Sequence, residues 1–369
     1  MTDYRPHEIF VEESVRESLI TKNVLSRLPE VQVRIIDSIE EKLEEAKNSS
    51  PTISRAKQSL VLARHKGRFF KMCPARQTRG DQRNVCCNYF VINFASNCHM
   101  ECTYCYLQSY LNFPYMIIYA NVDDLLEELD EVVRGNPDRY FRIGTGELAD
   151  SLALDGLTGY GRILVNYFST LDNAVLELKT KSDCVADLLQ LDHKSRTVVS
   201  WSINPDFIHQ TNEHKTATPR ARLTAARLCQ AKGYPVAFHI DPMIHYPDWQ
   251  RDYEDLIQQI FNTVPAESIA WISLGTLRMT RSLQNLMRSR FPKSFLPRGE
   301  LVPCEDGKLR YFKPIRVEMY CKALEWIRSI SPQTPVYACM EKRDVWEKAF
   351  AHAPPDEVVL GDSLVQVVL

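Results

Sequence analysis

Cys98-His-Met-Glu-Cys102-Thr-Tyr-Cys105-Tyr106 follows directly on an apolar run, Asn88–Ala95, that reads as a strand. Its C-x3-C-x2-C spacing puts three thiolates on one short loop. Three thiolates can hold three corners of a cubane [4Fe–4S] cluster and leave one iron without a protein ligand. The competing reading is a structural zinc site made of the triad and His99. Zinc ribbons, however, usually supply two C-x2-C pairs far apart, and this chain has no second pair. Buried structural cysteines would not need this spacing at all.

Outward from the loop, short apolar runs alternate with helical segments. The strand candidates are Asn88–Ala95, Arg142–Gly144, Ala174–Thr180, Val198–Ile203, Pro235–Ile240 and Ile269–Leu274. Helices are expected near Val122–Val133, Leu157–Phe168, Ser182–Leu191, Pro219–Lys232 and Tyr253–Thr263. Six such alternations imply parallel strands with helices outside, and right-handed crossovers curl the sheet into a partial (β/α)6 barrel. Chemistry in such barrels sits at the C-terminal ends of the strands, where the cysteine loop falls.

The flanks differ from the barrel. Glu12–Leu28 and Glu30–Ala46 carry apolar residues at helical spacing, so a helical extension is expected over 1–84, with a basic run at Arg64, Lys66, Arg68, Lys71 and Arg76. The barrel is expected over 85–277. A basic C-terminal α/β extension, 278–369, then holds ten Lys or Arg against three acids from Arg278 to Arg316. Within it Val302–Phe312 reads as a hairpin turning at Asp306-Gly307, followed by helix Val317–Ile330, strand Pro335–Cys339 and a helix near Arg343–Phe350. Net charge is −2 in 369 residues, so nothing global calls for a polyanionic partner. Eleven cysteines, with no signal peptide and no long apolar span, point to free thiols in a reducing cytoplasm and to no membrane partner.

The cysteine spacing resembles the signature of the radical S-adenosylmethionine enzymes. That resemblance implies an open iron that chelates S-adenosylmethionine and reduces it, giving a 5′-deoxyadenosyl radical. A reductant such as flavodoxin or ferredoxin is then expected.

A narrower resemblance covers roughly 85–290. Phe94-Ala95 with the loop ending Tyr104-Cys105-Tyr106-Leu107-Gln108 is similar to the spore photoproduct lyase family, which repairs a thymine-dimer lesion in DNA. Thr180-Lys181, Ser202-Ile203-Asn204, Ala231–Pro235, and Pro242–His245 followed by Trp249 continue it. The resemblance implies that Cys98, Cys102 and Cys105 ligate the cluster and that Lys181 and Ser202 hold the cofactor's carboxylate. It also puts Tyr104 and Tyr106 in a radical relay, beside the plainer reading of aromatic packing under the cluster. Gly144-Thr-Gly146-Glu147 is expected to approach the methionine moiety closely and bind its ammonium.

Two departures stand out. The family's hydrogen-donor cysteine, shortly after the second strand, is missing: Glu147 or its neighbour occupies the place, and a carboxylate has no weak X–H bond to offer. Cys304 is a candidate replacement. Asp241 replaces a small apolar residue, and either binds substrate or the cofactor's ammonium or caps the turn before Pro242. His239 and His245 flank it without a standard metal spacing, so no second metal site is expected.

The hairpin cations Lys308, Arg310, Lys313 and Arg316, with Arg278 and Tyr311, suit a phosphate backbone and an extruded base. The plainer alternative is a charged surface hairpin packed on the barrel. The expected function is radical chemistry on a damaged or modified pyrimidine in DNA. RNA, a nucleotide or another small molecule is the alternative substrate, and a nucleic-acid-binding protein with a sensing cluster is the alternative of another class.

Overall fold

The computed structural model describes residues 4–49, 51–73, 84–354 and 356–369. Six parallel strands follow one another in chain order across the main sheet: Tyr89–Ile92, Phe141–Gly144, Ala174–Thr180, Thr197–Ser202, Val236–Met243 and Ile269–Thr276. Such an order needs a crossover between every pair and gives the curled half-barrel expected from the alternation. The sheet gains Val336–Ala338, parallel, at one edge and Phe70–Met72, antiparallel, at the other.

Side-chain alternation divides each barrel strand between two environments. Leu176, Leu178, Val199, Trp201, Phe238, Ile240, Ile272 and Leu274 face the helices and belong to the large core. The other face turns inward. Low in the barrel it is apolar, with Val175, Val198, Ala237 and Trp271 packed under Trp346 and Leu364 from the C-terminal helices Arg343–Phe350 and Glu357–Gln366. Polar residues share this face: Arg142 and Ser200 lie level with that apolar layer, Glu177, Ser202, His239, Asp241 and Ser273 complete the set, and most are buried.

The N-terminal stretch holds strands as well as helices. Glu8–Glu12 lies between Gln32–Ile36 and Ser59–Ala63 in a parallel ladder that continues into Met116–Tyr119. The spans read as two long helices thus break into Leu19–Arg27 and Ile39–Ser49 with strands before each. Short runs such as Ile-Phe-Val fit either period, and pairing on both sides overrides local helical spacing. In the basic run, Arg64 pairs with Asp124 and Lys66 with Glu40, while Arg76 lies outside the described residues.

One expected helix is missing. Ser182–Leu191 forms successive tight turns, with Leu188 N–H on Val185 O and Leu191 N–H on Leu188 O. The indole of Trp201 takes the Ser182 carbonyl at 3.1 Å, and the Tyr234 hydroxyl takes that of Leu188 at 2.8 Å. Those carbonyls are therefore engaged by side chains from other elements. Helices Pro219–Ala231 and Trp249–Thr263 stand where expected. The hairpin closes through Val302–Pro303 and Lys308–Arg310, with Gly307 at φ 74°, and Lys308–Arg310 also pairs with Arg278–Thr280. No helix among the described residues is long and apolar enough to cross a membrane.

Candidate active site

The cysteine loop is held at both ends and along its carbonyls. Asn97, at φ 76°, accepts the Cys98 N–H on its own side-chain oxygen (2.9 Å) and donates to Pro114 O and Tyr115 O. Further along, Glu101–Cys102 pairs antiparallel with Glu213–His214, a two-residue strand after the fourth barrel strand. The Gln108 amide donates to the carbonyls of Cys102, Thr103 and Cys105 at 2.9–3.2 Å, and Arg290 holds Glu101 at 2.6 Å. Buried Lys57 donates to Met100 O at 2.7 Å. Loop carbonyls that would otherwise need solvent are thus satisfied by protein.

None of the eleven cysteines is in a disulfide. Burial, then the Asp150 carboxylate, pushes Cys98 up to about 12, and burial raises Cys102 well above the ordinary thiol range. Lys57 opposes the shift at Cys98 and Lys181 opposes it at Cys102, so each buried sulfur has a cation nearby. Among the described residues no three His, Cys, Asp or Glu side chains converge on a single ion. A cubane places each thiolate on a different iron, and three soft donors on one loop beside two lysines fit it.

Beneath the loop lies a buried charge network. Glu213, fully buried, takes Arg222 at 2.7 Å, Lys181 at 3.2 Å and the Asn204 amide at 3.0 Å, and accepts the Tyr104 hydroxyl. Burial raises the Glu213 carboxyl, but Arg222 and Lys181 outweigh that and hold it well below the usual carboxylate range. Lys181 also donates to Ser202 Oγ at 2.6 Å, and the Ser202 hydroxyl in turn donates to Asp241 O at 3.3 Å. An ammonium and a hydroxyl at neighbouring strand ends form a two-point donor set for a carboxylate.

The Gly144–Glu147 segment continues the second strand, which pairs with the third. A Cβ on Gly144 would fall 1.6 Å from the Tyr89 hydroxyl, and one on Gly146 would fall 2.9 Å from Lys179 Cβ, so both glycines are required by close approach. The Tyr106 hydroxyl donates to Glu147 O, joining the cysteine loop to the second strand's end. The lysine of the third strand, Lys179, sits inside: burial lowers it, but Glu147 and Glu177 outweigh that and raise it.

A family model described as "Spore photoproduct lyase" matches residues 4–305. The chain belongs to the spore photoproduct lyase family. Its sequence is 27% identical to the spore photoproduct lyase of Bacillus subtilis (strain 168) over 214 residues, 57% of this chain and 63% of that protein. The lyase of Clostridium acetobutylicum is 25% identical over 226 residues, 61% of this chain and 65% of that protein. The matched segments thus span just under two thirds of these curated relatives. A solved spore photoproduct lyase complexed with dinucleoside spore photoproduct superposes with a TM-score of 0.78 at 21% identity, over 91% of this chain and 99% of that one. A variant with bound AdoMet and the same dinucleoside superposes equally well. These superpositions carry the fold.

Within this family fold, several expected site residues are already engaged by protein. Asp241 faces Arg278 through two contacts, 2.9 and 3.0 Å, and sits over Gly275, whose absent side chain makes room for it. The carboxylate expected to meet a substrate or the cofactor's ammonium is therefore neutralised from within. His239 is pushed below its ordinary value by burial, so a neutral ring shares 2.6 Å with Glu177, which Arg142 also holds at 2.8 Å.

The hairpin differs most from expectation. Arg310 is buried and bound through two bonds to Asp306, which also draws Lys308 to 3.7 Å. Arg316 is buried against Glu341, Lys313 pairs with Asp344, and Tyr311 is buried with its hydroxyl 3.1 Å from His245 N. A run that looks like a free cationic stripe in one dimension is compensated by acids, three of which, Asp241, Asp344 and Glu341, lie far away in sequence. Cys304 turns its thiol toward Val302 O in its own hairpin. The sequence reading also missed Glu213, Arg222, Asn204, Lys57 and Lys179. Of these, Lys179 carried a signal in its inward register two residues before Lys181, and Asn204 stood in a segment that resembles the family.

Proposed function

We propose that this chain is a radical S-adenosylmethionine lyase acting on a thymine photoproduct in DNA. The observation that carries the proposal is the docking of the three-cysteine loop onto the Lys181–Ser202 donor pair through Glu213, in a chain of this family. Cys98, Cys102 and Cys105 hold a [4Fe–4S] cluster, Lys181 and Ser202 hold the carboxylate of S-adenosylmethionine, and the Gly144–Glu147 segment lies against its methionine part. Bound there, the two groups supply a 5′-deoxyadenosyl radical able to take hydrogen from an unactivated C–H bond. Glu213 keeps Lys181 aimed, and Tyr104 is anchored on Glu213 under the loop. A low-potential protein such as flavodoxin or ferredoxin supplies the electron.

The test is anaerobic turnover with duplex DNA whose photoproduct carries deuterium on the saturated ring carbon next to the cross-linked one, since a radical there lets the cross-link break by β-scission. Deuterium in 5′-deoxyadenosine together with restored thymine supports the proposal. Undeuterated 5′-deoxyadenosine without repair removes this lesion as the substrate.

A second reading keeps the chemistry and changes the substrate to a nucleotide or a short single strand. It is favoured by the internal pairing of Arg278, Lys308, Arg310, Lys313 and Arg316, which leaves fewer cations for a long phosphate backbone. Repair of the free dinucleoside at the same rate as the duplex lesion would support it.

A further inference from the structure

We propose that Cys339 returns a hydrogen atom to the carbon radical left on the substrate; this rests on the lyase reading above. Hydrogen abstraction leaves an odd electron that passes through bond cleavage onto the product, and a closed-shell product needs a hydrogen atom back. Among side chains, thiols give hydrogen to carbon radicals fastest, and the segment Phe141–Ser151 contains none.

The register places Cys339 inside the barrel. Val336–Ala338 runs parallel to Ile269–Thr276 with Ser273 opposite Tyr337, and the Cys339 N–H carries the ladder one step further, onto Leu274 O at 2.7 Å. Tyr337 points inward, its hydroxyl receiving Arg142 at 2.9 Å, so the two-residue period turns Cys339 the same way, one step nearer the mouth. There its surroundings are those of the site already described. The thiol feels the Asp241 carboxylate most, then the Arg278 guanidinium, with Cys87 and Lys179 next. Its residue is only partly buried.

An independent observation marks this interior as a place for a ligand. Tyr89 Oη, Ser200 Oγ, Ser273 Oγ, and Arg142 Nε and Nη1 are buried on the same inward face and have no hydrogen-bond partner. Tyr89 Oη lies just under Gly144, and Ser273 is one step below Gly275 on the strand beside Cys339. Packing alone does not leave five such atoms together; they await water or a polar molecule. Burial and Asp241 push the Cys339 thiol up to about 12, so its S–H stays intact near neutral pH. Cys304 lies against its own hairpin strand. Cys87 is turned toward Arg142 and hydrogen-bonded with Cys86.

In the step, the Cys339 S–H bond breaks homolytically and a product C–H bond forms. The thiyl radical left on Cys339 is closed by one electron from the low-potential reductant that serves the cluster and one proton from solvent. Hydrogen bound to a thiol exchanges with water, so the product made in D2O carries one deuterium.

The experiment uses the reconstituted protein, S-adenosylmethionine, dithionite and the dinucleoside spore photoproduct in D2O, with C339S, C339A and, as a surface control, C321S. Expected are deuterium-labelled thymine from the parent and C321S. For both Cys339 variants, 5′-deoxyadenosine still forms while thymine yield falls at least tenfold. Serine keeps the shape but not the weak bond, so a folding defect confined to C339A does not blur the result. Parent-like yield and label in C339S overturn the proposal. No thymine from the parent overturns the lyase reading itself and the proposal with it. A readout without turnover follows slow iodoacetamide labelling of Cys339 by peptide mass, in alkaline buffer where a thiolate fraction exists and in protein given no reductant. The dinucleoside plus S-adenosylmethionine should slow it at least tenfold and leave Cys321 unchanged. Unchanged labelling of Cys339 counts against it.

Discussion

Lys181 and Ser202, side chains from neighbouring strand ends, meet at 2.6 Å with the ammonium as donor, and the same ammonium reaches the fully buried Glu213 at 3.2 Å. A buried carboxylate shared between Lys181 and Arg222 is tolerated because both cations flank it and its Oε1 also accepts from Asn204 and Tyr104. The arrangement fixes where the one cation of that pair facing the mouth can point.

Lys181→Met and Ser202→Ala should therefore weaken S-adenosylmethionine binding separately, by roughly tenfold for the serine and more for the lysine, as expected for hydrogen bonds to a charged group. Anaerobic equilibrium dialysis on protein with its cluster intact measures this. Unchanged affinity in both variants would remove them from the cofactor site.

Each of Cys98→Ala, Cys102→Ala and Cys105→Ala should abolish the visible absorbance of the reconstituted protein and lower its iron from about four per chain. Cys304→Ala and Cys339→Ala should retain both. Iron analysis with Mössbauer spectra distinguishes the two groups.

Arg278→Ala leaves the Asp241 carboxylate inside the barrel without its partner. It should cost about 3 kcal/mol in urea unfolding, whereas Arg278→Ala combined with Asp241→Asn should recover much of that. Burial raises Asp241, but Arg278 holds it below its ordinary value. The stability it contributes is thus complete above the unfolded carboxylate value and fades as pH falls through the lower folded one. Equal losses in the single and double variants would mean that the pair carries no coupling.

Asp155 works in the opposite direction. It accepts Gly161 N–H at 2.6 Å, yet burial pushes it up to about 6. A carboxyl with a raised folded value stabilises fully below the unfolded value near 3.8, and that contribution is lost as pH rises through about 6, on the order of 3 kcal/mol. Asp155→Asn keeps the acceptor and should gain stability relative to the parent between pH 4 and 7. Parallel pH–stability curves for the two proteins would refute the assignment.

Phe312 is 59% exposed at the end of a hairpin whose cations are paired. If single-stranded nucleic acid docks there, Phe312→Ala should lose about 1–3 kcal/mol of affinity, the range for one stacked base. Lys308→Ala should lose less, and the salt dependence should be shallow. Fluorescence anisotropy with a short oligonucleotide at several salt concentrations checks all three.

The barrel was legible because its strands are short apolar runs separated by amphipathic helices; Ala174–Thr180 coincides with its expected bounds. Ser182–Leu191 was misread because Val185, Leu188 and Leu191 have helical spacing while the carbonyls of Ser182 and Leu188 are taken by Trp201 and Tyr234, far along the chain. The N-terminal strands were missed for a related reason: Glu8–Glu12 becomes a strand through neighbours supplied by residues 32–36 and 59–63.

By itself the sequence showed the three-cysteine loop and its position after the first barrel strand, which are properties of spacing and residue type, while Lys181 and Ser202 came from the family resemblance. Only the tertiary structure decided which charges remain available. Asp241 and Arg278 neutralise one another, Arg316 is claimed by Glu341, and Cys339 joins the barrel interior from a strand beyond the sixth. Charge compensation depends on distance in space, and ladder pairing brings together residues that the chain keeps apart.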